Sequence, residues 1–177
     1  AYGHGAVPVA RTIDRFVYGY AVATVDEGLK LRRHGIEKEI LCLGPVSAGR
    51  YQECLENDIS LPMFEYRRAK ELSDAAVAEG KTAKIHIAVD TGMSRIGLFP
   101  DEGSVETVKE IAELPALRIA GMFTHFARAD EADKTKAGEQ YRRFHAFCDA
   151  VKAAGVEVPV CHCSNSAGIV ELPDFNM

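Results

Sequence analysis

The sequence has no long apolar run, no excess of positive charge and no evident set of paired cysteines, and each absence excludes a class of protein. No stretch approaches the roughly 18 apolar residues that a membrane-spanning helix needs. The net charge is -5, so no basic stripe is available for nucleic-acid phosphates. The five cysteines are an odd number, which argues against a disulfide framework and favours reduced thiols in a cytosolic protein.

Motifs for nucleotides, secretion and metals are missing as well. There is neither a G-x-G-x-x-G fingerprint nor a P-loop, and the first residues lack the basic-then-apolar pattern of a signal peptide. The run "VCHCSN" does place Cys161, His162 and Cys163 in series. Alternate residues of a strand face opposite sides, however, and no second pair completes a four-ligand set. We therefore expect no metal site and a cytoplasmic location.

The chain does contain a regular alternation of short apolar segments and segments with helical spacing. The helical spacing covers residues 25–35, 67–81, 102–114 and 137–155. The predicted strands are residues 18–24, 39–44, 60–66, 84–91, 119–126 and 159–164. No hairpin signal joins neighbouring strands, so the alternation predicts parallel strands and an α/β fold.

Polar residues gather where three of the predicted strands end, in "IAVDTGMSR", "GMFTHFARAD" and "VCHCSNSAG". Active sites of (β/α)8 TIM-type barrels lie at the carboxyl ends of the strands. Such a barrel has eight strands and about 250 residues, whereas six strands are predicted here. We therefore predict an incomplete (β/α)8 barrel, with about six of eight parallel strands in one domain spanning residues 1–177.

Three of these strand ends carry candidate binding residues. Arg95 lies in a glycine-flanked loop, where its guanidinium can form a bidentate contact with a carboxylate or phenolate; alternatively, Asp90 only caps a turn and Arg95 lies on the rim. His125 ends the next strand, where a histidine is more often simply hydrogen-bonded than catalytic. Residues 164–166 can offer backbone N–H groups to an anion or serve as a helix N-cap. Together they suggest a phosphorylated, carboxylate-related ligand.

The blocks "AYGHGAV", "AVATVDEGLKLRRHGI", "LCLGPV", "VDTGMSRIGL", "GMFTHFARAD" and "HCSNSAG" resemble, in order, those of the alanine racemase family. The resemblance covers essentially the whole chain. It implies a pyridoxal 5'-phosphate enzyme that interconverts L-alanine and D-alanine, supplies D-alanine for peptidoglycan and works as a homodimer. Three alternatives remain. They are a serine or broad-specificity racemase of the same family, a non-catalytic cofactor-binding barrel, and a metal-dependent hydrolase using Asp90, His125 and His162.

The resemblance also implies roles for individual residues. Tyr2 and Ser166, with the backbone after Asn165, would contact the cofactor phosphate. Arg95 would face the phenolic oxygen and help to place the substrate carboxylate, and His125 would lie against the ring. His162 would orient an arginine that contacts the pyridine nitrogen.

Several family features fall outside these 177 residues or differ within them. The Schiff-base lysine would lie three residues before Ala1. The arginine-bearing eighth strand and the C-terminal β-domain with its catalytic tyrosine would follow the last residue. Lys84 begins its strand and should lie at the opposite end of the barrel from the site, while Lys134 and Lys136 are expected in a charged turn. None of the three is placed to replace that lysine, so we expect the chain alone to be inactive. Many family members also carry a lysine, often carbamylated, where this chain has Ala88, so Arg95 would need chloride or another side chain for support.

Overall fold

The strands form one continuous parallel sheet in chain order. The computed structural model describes residues 3–175. Backbone pairing joins the first two strands and, separately, the other four, and a parallel bridge between Leu41 and Ser60 connects the two groups. The strands are β1 (Gly19–Val22), β2 (Glu39–Cys42), β3 (Leu61–Met63), β4 (Ala83–Ala88), β5 (Leu117–Thr124) and β6 (Val160–Cys163). All six predicted strands are thereby confirmed.

Helices connect the strands, as parallel pairing requires. The described residues contain α1 (Ala6–Ile13), α2 (Val25–Arg33), α3 (Tyr51–Glu56), α4 (Tyr66–Ala78), α5 (Glu102–Ala112), α6 (Thr135–Ala153) and α7 (Ser166–Glu171), with short 3-10 turns at Asp14–Phe16, Ala48–Arg50 and Pro173–Phe175. The four predicted helices are confirmed as α2, α4, α5 and α6. The placement of Lys136 in a charged turn is wrong, because α6 begins at Thr135 and Lys136 lies in its first turn.

Local side-chain contacts fix where two of these helices begin. The Thr24 hydroxyl accepts the N–H of Glu27, and the Glu27 carboxylate accepts the N–H of Thr24, which together form a capping box at α2. The Asp101 carboxylate accepts the N–H of Ser104 at the start of α5. These caps satisfy N–H groups that have no partner within their own helix.

The sheet buries a different set of side chains on each face. Ile85 and Ile87 of β4 belong to the large core that the sheet forms with the helices. Ala88, on the alternate face of the same strand, belongs to a separate cluster with Leu41 and Phe123. Successive residues of a strand point to opposite faces, so this second cluster marks the inner face of the sheet.

A charged network closes the end of the sheet where the strands begin. The Lys84 ammonium lies 2.6 Å from the Asp58 carboxylate and 3.4 Å from that of Glu39. Lys84 is thus at the opposite end from the loops that follow the strands, as predicted. Within residues 3–175, no helix has the length and apolar character required to cross a membrane.

Candidate functional site

The loop after β4 is organised by Asp90. Its carboxylate Oδ1 accepts the backbone N–H groups of Gly92 at 3.0 Å and Ser94 at 2.9 Å. A short parallel bridge between Val89 and Leu98 closes the loop. Asp90 therefore caps a turn, as the alternative interpretation held, and the turn presents Arg95 at the surface.

Gly97 permits this loop to fold back onto its own strand. Its φ is +124°, and a Cβ atom there would lie 2.5 Å from the backbone nitrogen of Asp90. A side chain would therefore collide with the strand end that the loop must contact. The glycine is needed for the close approach that positions Arg95.

Arg95 and His125 line the same small pocket at the carboxyl ends of β4 and β5. Its walls comprise Leu43, Ala88, Val89, Met93, Arg95, Ile96, Phe123 and His125. Burial, and secondarily the positive charge of Arg95, lower the pKa of His125 below its usual value. His125 is thus a neutral imidazole beside a cation at pH 7.

The Arg95 guanidinium is exposed and has no hydrogen bond or ion pair to any of residues 3–175. Ala88 lies in the wall of the same pocket but contributes only a methyl group, and it is 1% exposed. Position 88 therefore supplies no polar support to Arg95. The guanidinium is left available for an anionic ligand.

Gln140 of α6, which sequence reasoning missed, connects the loops that carry Arg95 and His125. Its Oε1 accepts the Ala127 N–H at 2.9 Å, and its Nε2 donates to the carbonyl of His125 at 3.2 Å and to Thr91 Oγ1 at 3.1 Å. Gln140 is 4% exposed. One buried amide therefore contacts both loops at once.

Two buried hydroxyls continue this network. Thr124 Oγ1 donates to the carbonyl of Val89 at 2.8 Å, so the 2.8 Å contact between the Thr91 and Thr124 hydroxyls uses the proton of Thr91. Thr91 must then accept from Gln140. The donor direction therefore runs from Gln140 through Thr91 and Thr124 to the carbonyl of Val89, directly after β4. The Thr91 hydroxyl has no proton left to donate to a different group at position 140.

The turn after β6 is held by Asn165. Its Oδ1 accepts the Gly168 N–H at 2.9 Å, which makes Asn165 the N-cap of α7, and its Nδ2 donates to the carbonyl of Phe126 at 3.0 Å. Ser166 is exposed at the first position of α7. Within residues 3–175, the backbone N–H groups of Ser166 and Ala167 have no acceptor. The N-cap interpretation is confirmed for Asn165, and two N–H donors remain beside the His125 loop.

His162 lies on the inner face of the sheet, on the same side as Phe123. Its ring stacks on Phe123 with centroids 5.4 Å apart, and its Nε2 lies 3.1 Å from Nδ1 of His86. Burial lowers the pKa of each of these two histidines to about 4. His86 is a second residue that sequence reasoning missed.

The remaining expectations concern Tyr2, the cysteines and a metal site. Tyr2 lies outside the described residues. All five cysteines are free thiols, consistent with the expectation of no disulfide framework. Residues 3–175 contain no group of three or more histidine, cysteine, aspartate or glutamate side chains arranged to hold a metal ion.

The fold and its strand-end loops define a parallel α/β barrel-type domain with a cation, a neutral imidazole and N–H donors at the carboxyl ends of neighbouring strands. The family model described as alanine racemase, N-terminal domain, matches residues 1–177. The chain therefore belongs to the alanine racemase family.

Curated relatives and solved structures agree with this assignment. The alanine racemase of Clostridium novyi (strain NT) is 46% identical over 175 residues, which are 98% of this chain and 45% of that protein. The alanine racemase of Methanococcus maripaludis is 40% identical over 178 residues, covering 100% of this chain and 48% of that protein. The chain thus spans less than half the length of these relatives.

Alanine racemase of Clostridium difficile 630 superimposes with a TM-score of 0.94 at 37% identity, over 99% of this chain and 46% of that one. The same enzyme in complex with cycloserine gives a TM-score of 0.95 at 37% identity, over 99% of this chain and 49% of that one. The predicted α/β fold, with part of a barrel of parallel strands, is confirmed by these matches.

Proposed function

We propose that this chain is the cofactor-facing part of a pyridoxal 5'-phosphate-dependent racemase that interconverts L-alanine and D-alanine. The observation that carries the proposal is the pocket shared by Arg95 and His125, in a chain of this family. An unpaired guanidinium beside a neutral imidazole suits a ligand with a carboxylate and a phenolic oxygen.

The residues present fit this cofactor. Its phosphate is a strong hydrogen-bond acceptor, and the free N–H groups of Ser166 and Ala167 with the Ser166 hydroxyl are donors at the start of α7. By resemblance, Tyr2 would add a phenolic donor. Arg95 would bind the phenolic oxygen and the substrate carboxylate, and His125 would lie against the ring. His162 would orient the arginine that contacts the pyridine nitrogen.

When bound, pyridoxal 5'-phosphate supplies an electron sink for negative charge at the amino-acid Cα. The contribution of this chain is orientation and electrostatics. Arg95 holds the carboxylate, which fixes the direction of the Cα–H bond, and His125 stays uncharged because burial and Arg95 both oppose its protonation. The inner cluster of Leu41, Ala88 and Phe123 would present an apolar surface to the bound cofactor and so help to exclude water from it.

The two bases that move the Cα proton are proposed to lie outside these 177 residues. The lysine before Ala1 and the tyrosine of a C-terminal β-domain would take these roles, as the family resemblance implies. The three lysines considered as replacements have other partners. Lys84 pairs with Asp58 and Glu39, Lys134 pairs with Glu171 and donates to the carbonyl of Ala129, and Lys136 pairs with Glu139. The chain alone is therefore expected to be inactive.

The test is chiral chromatography of alanine and serine after incubation of the full-length protein with cofactor and each L-amino acid. We expect D-alanine to form much faster than D-serine. Arg95→Ala should lower kcat/KM for alanine by at least about tenfold, since a charge-assisted contact is lost. Arg128→Ala is the matched control, because that exposed loop arginine pairs with Glu131 instead.

Other results would select other functions. Similar rates with alanine and serine would favour a broad-specificity racemase. Cofactor binding without racemisation of either would favour a non-catalytic barrel. The native mass of the active protein tests the proposed homodimer, and a monomeric active species would contradict it.

A further inference from the structure

Two imidazoles on strands that are not neighbours meet on the inner face of the sheet. His86 belongs to β4 and His162 to β6, with β5 between them, yet His86 Nδ1 and His162 Nε2 are 3.1 Å apart. Gly121 of β5 makes this contact possible. A Cβ atom there would lie 2.6 Å from His86 Nδ1 and 2.7 Å from His86 Cε1. The intervening strand thus leaves room for one ring to reach the other.

Both rings are uncharged near neutral pH. Burial lowers the pKa of both to about 4; the charge of Arg118 adds to the effect at His86, and the neighbouring His86 adds to it at His162. A neutral imidazole has one N–H and one bare nitrogen. In a hydrogen bond between two neutral rings, one must donate and the other accept. The bond therefore links the position of the proton on one ring to its position on the other.

If only the stability of the fold mattered, one of the two proton arrangements of the His86–His162 pair would be favoured. His86 is 3% exposed, and its Nε2 is a buried atom without a hydrogen-bond partner among residues 3–175. Buried N–H groups without an acceptor are rarer than buried acceptors without a donor. If the pair had only a structural role, His86 would carry its proton on Nδ1, donate to His162 and leave a bare nitrogen at Nε2.

The proposed function requires the opposite arrangement. A guanidinium has five donors and no acceptor, so an arginine oriented by His162 needs a bare nitrogen on that ring. Since Nε2 of His162 is used by His86, the bare nitrogen must be Nδ1. The proton of His162 then lies on Nε2, and His86 must accept it at Nδ1.

We propose that His86 is a positioning residue that accepts the Nε2–H of His162 and thereby keeps Nδ1 of His162 bare for the arginine at the cofactor. This inference rests on the proposed function, because that function brings the arginine to His162. It assigns His86 a role for which a hydrogen-bond acceptor at Nδ1, rather than bulk or charge, is the required property.

The test is ¹⁵N NMR of the full-length protein labelled at histidine, recorded without substrate, because ring nitrogens with and without a proton are resolved by chemical shift. Single substitutions of His86 and His162 assign the signals. We expect both rings to carry their proton on Nε2. A proton on Nδ1 of His162, or averaging between its two tautomers, would overturn the proposal.

Three variants separate positioning from a general structural role. His86→Leu removes the acceptor, so the His162 signals should average between tautomers and kcat for alanine should fall about tenfold with little change in KM. His86→Asn places an amide oxygen near the position of Nδ1 and should restore kcat to within about threefold of the original. His145→Gln, at an exposed histidine that pairs with Asp149, is the control and should leave both readouts unchanged.

The outcomes also distinguish this inference from the proposed function. Because the tautomer is read without turnover, an inactive protein with both protons on Nε2 would refute racemisation and leave the hydrogen-bond assignment standing. An active racemase with the Nδ1 tautomer on His162 would refute the assignment alone. If His86→Leu does not fold, the tautomers of the unsubstituted protein and the rescue by His86→Asn still decide the question.

Discussion

Replacing Gln140 with leucine tests whether one buried amide holds the two loops of the site together. Leucine has a similar size and a higher apolar character, so packing within α6 should be retained. The change removes three hydrogen bonds, which join Gln140 to Ala127, His125 and Thr91. It leaves the Ala127 N–H and the His125 carbonyl without these contacts.

The expected loss of stability follows from the polar groups that are left without a hydrogen bond. A buried polar group that loses its partner costs about 1–3 kcal/mol. The Thr91 hydroxyl still donates to Thr124, so the loss falls mainly on Ala127 and His125. Ala127 is exposed and His125 is half-buried, so each loss lies in the lower part of that range. We therefore expect the free energy of unfolding to decrease by about 2–4 kcal/mol in total. Gln140→Glu should be no better, because a carboxylate would face the His125 carbonyl and a Thr91 hydroxyl whose proton is already used.

The assay is urea unfolding of the full-length protein, with amide hydrogen exchange of the peptide around Ala127. Gln140→Leu should lower the unfolding midpoint and increase exchange at Ala127. Gln52→Leu is the control, since that exposed side chain bonds to Glu56 on the same helix, and its effect should stay within about 0.5 kcal/mol. Unchanged stability and exchange in Gln140→Leu would refute the connecting role.

Three further predictions concern the inner face and the turn after β6. His86 and His162 have pKa values of about 4 in the folded state and about 6.5 in the unfolded state, so between pH 6.5 and 4 the unfolded state binds more protons. The free energy of unfolding should therefore fall by roughly 3 kcal/mol per histidine as the pH drops through that range, and urea midpoints that do not change there would contradict this. Gly121→Ala would bring a methyl group within 2.7 Å of the Val160 carbonyl and should destabilise by about 1–3 kcal/mol in the same assay, whereas a neutral effect would contradict the close approach. Asn165→Ala removes the α7 cap, so it should lower the free energy of unfolding by about 1 kcal/mol and weaken cofactor binding in a fluorescence titration. Unchanged affinity would show that this turn does not bind the cofactor phosphate.

The sequence was sufficient for the strands and the longer helices because each has a clear period. The helix at residues 137–155 repeats apolar residues three and four apart, and the strands are short apolar runs. α3 was missed because six residues are too few to show a helical period, and α1 because Pro8 lies within it. For α7, which also has six residues, only the possible N-cap at residues 164–166 was predicted.

From the pattern of residues alone, candidate site residues could be predicted only where they lie directly after a strand. Arg95, His125 and Asn165 belong to such loops, and their positions follow from the strand assignments. Gln140 lies among charged residues in "AGEQYRRF", where it is indistinguishable from a solvent-facing position. His86 and His162 are 76 positions apart and meet across an intervening strand, which no local pattern encodes. Contacts between distant elements therefore required the structure.

Exchange of the Cα hydrogen of alanine reports directly whether the full-length protein racemises alanine. The full-length protein is incubated with cofactor and L-alanine in deuterated water, and the chirality and mass of the product are measured together. Because racemisation removes and returns a proton at Cα, we expect D-alanine that carries deuterium at Cα, with both signals strongly reduced in Arg95→Ala. If a protein that has bound the cofactor returns only unlabelled L-alanine without any D-isomer, it is not an alanine racemase.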